Sequence, residues 1–221
     1  MKNRINMILL AAGNSRRFGS NKLLTEYNGK LLYQYTFDIV AKVSQWLTNN
    51  KVDYSIYTVS QYKEILIQAE KNNYAAIENH KPEQGIAYSI KLGIESHSDF
   101  TQNTAALTPY EREKYLFFVC DQPLLRSESV IDLISVYLNS DKSMGCLSYK
   151  NRMGNPCIFD DECIPDLLKL KGDKGGKKII LQNQSNTLTV QVEDEKELFD
   201  VDDIADFKKL HEFGRKNSPT K

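Results

Sequence analysis

The chain has 221 residues, 41% of them hydrophobic and 26% charged, and its 29 Lys and Arg balance 29 Asp and Glu to a net charge of zero. Such a chain can bury a sizeable core unaided by disulfides or metals, and the balanced charge argues against a protein held to nucleic acid or anionic lipid by electrostatics. No run approaches the ~18 apolar residues of a membrane span, the first residues are too short an apolar core for a secretory signal, and Cys120, Cys146, Cys157 and Cys163 show neither a CxxC pair nor zinc spacing, so a reduced, cytoplasmic protein is expected.

Residues 5–12 (INMILLAA) form a short unbroken apolar run stopped by Gly13, which predicts a strand buried on both faces. Over 31–46, Leu32, Tyr35, Ile39, Val43 and Trp46 recur at helical spacing. A strand over 54–59, a helix over 62–69, a short strand over 75–77 and a helix over 86–94 entered through Gly85 follow. Residues 116–120 (LFFVC) are a second wholly apolar strand, halted at Asp121. A helix over 127–138 is predicted with Ser127 as its N-cap and Val130, Leu133, Ile134 and Tyr137 facing inward.

This alternation calls for a three-layer α/β arrangement, a mostly parallel sheet with helices on both faces. Beyond it the pattern is mixed. Strands over 145–149 and 157–159 are joined across 151–156. Helices over 166–171 and 176–182, a strand over 188–192 and a closing helix over 204–213 complete the chain, a segment suited to covering the sheet's open edge or the site. One domain over 1–214 with a flexible tail at 215–221 is expected. The polar connection over 100–113 is longer than the fold needs and has no assigned function.

Four places can carry chemistry. The loop after the first strand holds Gly13, Ser15, Arg17, Gly19 and Lys22. Glycines let backbone N–H groups approach phosphate oxygens, and Arg17 and Lys22 would neutralise their charge; a basic surface loop is the plainer reading, and the loop is neither a Walker A motif nor GxGxxG. Asp121, directly after an apolar strand, is placed to hold Mg²⁺ at the sheet's carboxyl edge or to serve as a turn residue before Pro123. In the acidic run Asp200, Asp202, Asp203 and Asp206, the last two suit a helix N-terminus, whereas Asp202 could pair with Asp121 around a metal. The turn Gly172-Asp173-Lys174-Gly175 suits an anion or a flexible connection, and Asn155-Pro156 reads as a tight turn. His80, His97 and His211 sit near no serine or cysteine motif, which argues against a hydrolase triad.

Taken together, the segments resemble a known family. Residues 9–22 (LLAAGNSRRFGSNK) are similar to the L-A-A-G-x-[GS]-x-R-x-G-x-x-K signature of molybdenum cofactor and sugar-phosphate nucleotidyltransferases, and nearest to molybdenum cofactor cytidylyltransferases. Gly85 to Ile90 resembles the family's G-x-x-x-S-I element, Asp121-Gln122-Pro123 its D-Q-P, Gly154-Asn155-Pro156 its G-x-P, Gly172 to Gly175 its G-D-x-G, and Asp200 to Asp206 its D-I-D-x-x-x-D ending. The family commonly has histidine at the place of Asn155, alanine and arginine at those of Gly176 and Lys177, and small residues near Ala87 and Tyr88.

The resemblance implies a Rossmann-like nucleotidyltransferase fold and Mg²⁺-dependent transfer of CMP from CTP to the phosphate of the molybdopterin form of molybdenum cofactor, releasing pyrophosphate. By it, Arg17, Lys22 and Asp121 are catalytic. Leu10, Ala11, Ala12, Gly13, Ser15, Arg17, Lys22, Gly85 and Ser89 bind the nucleotide. Asn155, Asp173, Lys174 and Gly175 bind the acceptor, and Asp121 with Asp202, Asp200 in reserve, holds the metal. Related guanylyltransferases read L-A-G-G where Ala12 stands here, and the added methyl favours a pyrimidine. Guanylyl transfer from GTP, transfer to a sugar or alditol phosphate, and a non-catalytic carrier for a molybdenum hydroxylase are the alternatives; such a hydroxylase would also receive the product.

Overall fold

The opening apolar run becomes β1 (Asn3–Ala11), the strand around which the sheet is laid. The computed structural model describes residues 3–15, 18–19, 21–103 and 112–215, with 98–103, 112 and 215 as backbone alone. A small hairpin of β2 (Glu26–Tyr27) and β3 (Lys30–Leu31) leads into α1 (Leu32–Asn49), β4 (Asp53–Ser60), α2 (Lys63–Lys71), β5 (Ala75–Glu78), α3 (Ile86–Asn103), β6 (Arg112–Val119) and α4 (Ser127–Leu138). There follow β7 (Met144–Tyr149), β8 (Arg152–Asp160), α5 (Ile164–Leu168), α6 (Gly176–Gln182), β9 (Thr187–Gln191) and α7 (Ile204–Arg215).

Seven strands lie in the order β5-β4-β1-β6-β8-β7-β9. The first four are parallel, β8 runs against both β6 and β7, and β9 is parallel to β7. One reversed strand therefore interrupts an otherwise parallel sheet, the mostly parallel α/β architecture expected from the sequence. The period of a strand explains the layers: Ile5, Met7, Leu9 and Ala11 pack with Val40 and Val43 of α1 and with Val130 and Ile134 of α4. Ile8 and Leu10 point the other way, onto Ile90 of α3, Leu167 of α5 and Ile180 of α6. Each such buried aliphatic contributes about 1.5–3 kcal/mol.

Three local expectations are corrected. Ser127 is the first helical residue rather than the N-cap; Arg126, at φ −103° and ψ 140°, occupies the cap without a side-chain bond. The segment 151–156 is mostly strand, not a connection. Cys146 pairs with Cys157 but Leu147 with Gly154, so Asn155 and Pro156 are extra residues bulged out of the ladder, a device that bends a strand and re-aims a side chain. The helix expected over 166–171 begins at Ile164 and ends at Leu168, because Pro165 sits in its first turn, where a fixed φ and a missing N–H cost nothing. All four cysteines are free and buried, and burial raises every thiol pKa. Of the connection over 100–113 only its ends are described, and the tail from 216 lies outside the described residues.

Gly85 enters α3 at φ +78°, and a Cβ there would stand 2.4 Å from the carbonyl carbon of Gly172. The Ala87 N–H donates to the same Gly172 carbonyl oxygen at 3.1 Å, so two motifs far apart in sequence are packed backbone on backbone. Gly85→Ala should cost about 2–4 kcal/mol in urea unfolding from left-handed strain and overlap combined. Gly172→Ala, strained at φ +64° but in open space, should cost only about 1–2 kcal/mol; equal losses would show that the close approach carries no weight.

Candidate active site

Open parallel sheets bind ligands at the carboxyl ends of their strands, and three chain segments meet there. The loop leaving β1 passes Ser15, whose hydroxyl accepts the Lys22 N–H at 3.3 Å. Lys22 opens a short 3₁₀ turn, Lys22–Leu24, capped by the Asn21 side chain, which accepts the Leu23 N–H. Asp121 follows the end of β6 by two residues. The chain returns after β9 and docks by the Val201 N–H on the Asp121 carbonyl oxygen at 3.0 Å, which delivers Asp202.

The Lys22 ammonium lies between the two carboxylates, its Nζ 2.6 Å from Asp121 Oδ2 and 3.1 Å from Asp202 Oδ1. The lysine side chain is 10% exposed. Burial works against its charge, but the charges and hydrogen bonds of the two carboxylates outweigh it and hold its pKa above the ordinary value. Asp200 keeps an exposed edge, yet desolvation around its carboxyl, then the charges of Asp121 and Asp202, push it up to about 7. A hydrogen bond from Gln122 and the Lys22 charge pull the other way. Three carboxylates thus share one lysine. Asp203 and Asp206 do other work: each side chain accepts the other's backbone N–H, at 2.9 and 3.3 Å, a reciprocal cap on α7.

Whether a divalent cation suits the place is answered by one atom. Asp121 Oδ2 is taken by Lys22, whereas Asp121 Oδ1 is buried without a hydrogen-bond partner, a costly state for a carboxylate oxygen that a cation would relieve. Among the described residues no group of three or more His, Cys, Asp and Glu forms a metal cage. Mg²⁺ in phosphoryl-transfer sites needs only one or two carboxylates plus substrate phosphates, so Asp121 and Asp202 fit such an ion.

A cleft of about 620 Å³ opens over this triad. Of the residues singled out in the sequence, Leu10, Ala12, Gly13, Ser15, Lys22, Gly85, Ser89, Asp121, Asp173 and Asp202 line it. A smaller cavity of about 180 Å³ adjoins it through Leu10, Ile86, Val119 and Asp173, and there Asn155, Gly175, Gly176 and Lys177 meet the apolar Phe117, Ile90 and Cys157. The bulge in β8 is what presents Asn155 to this cavity. Gly176 is glycine because a Cβ would fall 2.8 Å from the Phe159 ring. Ala11 is fully buried with its side chain in the core, and Lys174, exposed, lines neither cavity. Arg17 lies outside the described residues.

No histidine lines either cavity; His97 is buried between Tyr57 and Glu113, and His211 packs on the Tyr27 and Phe207 rings. Ser60, Gln61 and Tyr62 were not singled out in the sequence, yet their side chains reach the last residue of β1 and the loop after it. The available signal was three polar side chains closing a strand at the ligand-binding edge. No helix among the described residues is long and apolar enough to cross a membrane.

The model of the MobA-like NTP transferase domain matches residues 7–187, which takes in every cleft residue except Asp202. The chain belongs to the MobA-like NTP transferase family. It is therefore a nucleotidyltransferase. No curated protein matches it. Among solved structures, Rv0371c from Mycobacterium tuberculosis H37Rv is 20% identical with a TM-score of 0.73, over 96% of this chain and all of that one. A second structure of Rv0371c is a complex with manganese, at 17% identity, TM-score 0.70 and 94% and 98% coverage. The nucleotidyl transferase Mth528 from Methanothermobacter thermautotroptrophicus is 18% identical, TM-score 0.71, over 96% and 99% of the two chains. Molybdopterin-guanine dinucleotide biosynthesis protein A from Archaeoglobus fulgidus is 13% identical, TM-score 0.59, over 96% and 99%. At these identities the likeness is one of fold.

In this MobA-like transferase Lys22 is the charge that holds the carboxylates together. Lys22→Met should cost about 3 kcal/mol in urea unfolding, the lower end for breaking a buried ion pair, since Asp121 keeps 18% of its side chain exposed. Millimolar Mn²⁺ should then raise the melting temperature of the variant more than that of the parent; equal stability of the two proteins would contradict the ion pair's role.

Proposed function

We propose that the protein transfers CMP from CTP to the terminal phosphate of molybdopterin carrying molybdenum, releasing pyrophosphate and forming molybdopterin cytosine dinucleotide. The observation that carries the transferase chemistry is the meeting of Lys22, Asp121 and Asp202 at one end of the 620 Å³ cleft. An ammonium has three donors; two go to the carboxylates, and the third remains for a phosphate oxygen. Arg17 is assigned with it to the β- and γ-phosphates, where the leaving pyrophosphate gathers charge. A Mg²⁺ ion held by Asp121 and Asp202 would offset charge at the α-phosphate.

The acceptor oxygen attacks the α-phosphorus, the bond from that phosphorus to the bridging oxygen breaks, and pyrophosphate departs with the electron pair. A phosphate monoester is mostly dianionic near neutral pH, its second pKa being about 6, so no general base is required, in keeping with cavities that no histidine lines. What the chain must supply is charge neutralisation and alignment of two anions that repel each other.

Two features support the choice of substrates. Ala12 forms part of the cleft wall, and its methyl narrows the space for a purine, a discrimination worth about 1–3 kcal/mol. The adjoining cavity is lined by the apolar Phe117, Ile90 and Cys157 together with the polar Asn155, Asp173 and Lys177. That lining suits a planar heterocycle held by its edge better than a polyol, which would need polar partners all round.

Pyrophosphate release with each nucleoside triphosphate, against molybdopterin and against sugar and alditol phosphates, should be fastest with CTP and molybdopterin. A clear GTP preference, or turnover confined to a sugar phosphate, would overturn that choice. Asp121→Ala should lower turnover at least about 100-fold while the protein stays folded; full activity would remove Asp121 from the reaction.

A further inference from the structure

At the edge of the cleft, three consecutive side chains hold three consecutive carbonyls. Ser60 Oγ donates to the Ala11 oxygen at 2.9 Å, Gln61 Nε2 to the Ala12 oxygen at 2.9 Å, and the Tyr62 hydroxyl to the Gly13 oxygen at 2.8 Å. The Gln61 amide nitrogen also lies 3.1 Å from Asn14 Oδ1. Ser60 is fully buried and its hydroxyl in turn accepts the Tyr62 N–H at 3.1 Å, so the row is anchored in the core.

The register of β1 on β4 ends at the pair Ala11 and Ser60. Past that point the ladder offers no partner to the Ala12 and Gly13 carbonyls, and side chains take its place. In a planar trans peptide the carbonyl and the next N–H point in opposite directions. Holding the carbonyls of Ala11, Ala12 and Gly13 on the β4 side therefore turns the N–H groups of Ala12, Gly13 and Asn14 away from β4. All three of those residues line the 620 Å³ cleft. Among the described residues the Gly13 and Asn14 N–H groups donate to no protein acceptor.

We propose that Ser60, Gln61 and Tyr62 are positioning residues: a latch that aims the backbone N–H groups of residues 12–14 at oxygen acceptors of the bound nucleotide. The latch touches the loop and not the substrate, and it acts on nucleotide affinity. It rests on the family-level reading that this cleft takes a nucleoside triphosphate, and on neither the choice of CTP nor that of the acceptor. The oxygens served are phosphate or base carbonyl oxygens, which share the chemistry of a hydrogen-bond acceptor.

The double variant Gln61→Met, Tyr62→Phe removes two donors at nearly constant volume. Titration of the parent protein with Mg²⁺ and whichever of CTP and GTP it binds more tightly, followed by calorimetry and by amide NMR, should shift the Ala12, Gly13 and Asn14 signals. In the variant the dissociation constant should rise about 10- to 30-fold and those three amide shifts should shrink. Inorganic tripolyphosphate weakened in parallel assigns the donors to phosphates; the nucleotide weakened alone assigns them to the base. If the double variant unfolds, Tyr62→Phe by itself should still weaken the nucleotide a few-fold. Unchanged affinity and unchanged amide shifts overturn the latch. A parent protein that binds neither CTP nor GTP overturns the nucleotide reading and the latch with it, a result distinct from a variant that binds as well as the parent.

Discussion

One buried ammonium between two carboxylates organises the active end of this molecule. Lys22 is 99 residues from Asp121 and 180 from Asp202 in the chain, yet it bonds to both. Three devices bring this about: a capped 3₁₀ turn aims Lys22, the end of a buried parallel strand places Asp121, and a backbone bond from Val201 to Asp121 returns the C-terminal segment. The charge there is unbalanced by design of the surroundings. Three carboxylates face a single lysine, Asp200 is forced toward protonation, and one oxygen of Asp121 has no partner. A divalent cation arriving with the substrate would supply positive charge to these carboxylates and a partner to the orphaned Asp121 oxygen.

The rest of the cleft depends on backbone meeting backbone. Gly85 packs on Gly172 closely enough that no side chain fits, which ties the segment bearing Ser89 to the turn bearing Asp173. The bulge of β8 turns Asn155 toward the second cavity, and Gly176, which lines it, leaves no room for a side chain over the Phe159 ring. Asn155, Gly176 and Lys177 are therefore gathered in one place, the cavity adjoining the cleft, and under the proposed function they bear on the acceptor rather than on the chemistry of transfer.

The central strands were legible because parallel strands covered on both faces read as unbroken apolar runs, as 5–12 and 116–120 do. Helices α1 and α4 were legible from apolar spacing. The nine-residue β8 was not: Arg152, Gly154, Asn155 and Pro156 are a turn composition, and only the pairing of residues 152–154 and of Cys157 with β7, on either side of the bulge, makes the segment one strand. Ser127 misled because a serine before a helical pattern suits a cap as well as a first turn. In the acidic run, Asp203 and Asp206 cap the start of α7, while Asp202, expected beside Asp121 around a metal, accepts from Lys22, a partner that nothing in the sequence pointed to. Tyr62 read as the start of a helix that begins at Lys63, and Gln61 stood out in no pattern, because a side chain that holds a neighbouring loop's carbonyls depends on which strand lies alongside. That is tertiary information.

The proposed transfer requires a single nucleotide lying across Lys22 and Asp121. A crystal structure with a non-hydrolysable CTP analogue and Mg²⁺ tests it most directly. An Asp121 carboxylate oxygen about 2.0–2.1 Å from the metal, with the triphosphate within hydrogen-bond reach of Lys22, is the result expected. A nucleotide bound elsewhere, or a metal that leaves Asp121 untouched, would contradict it.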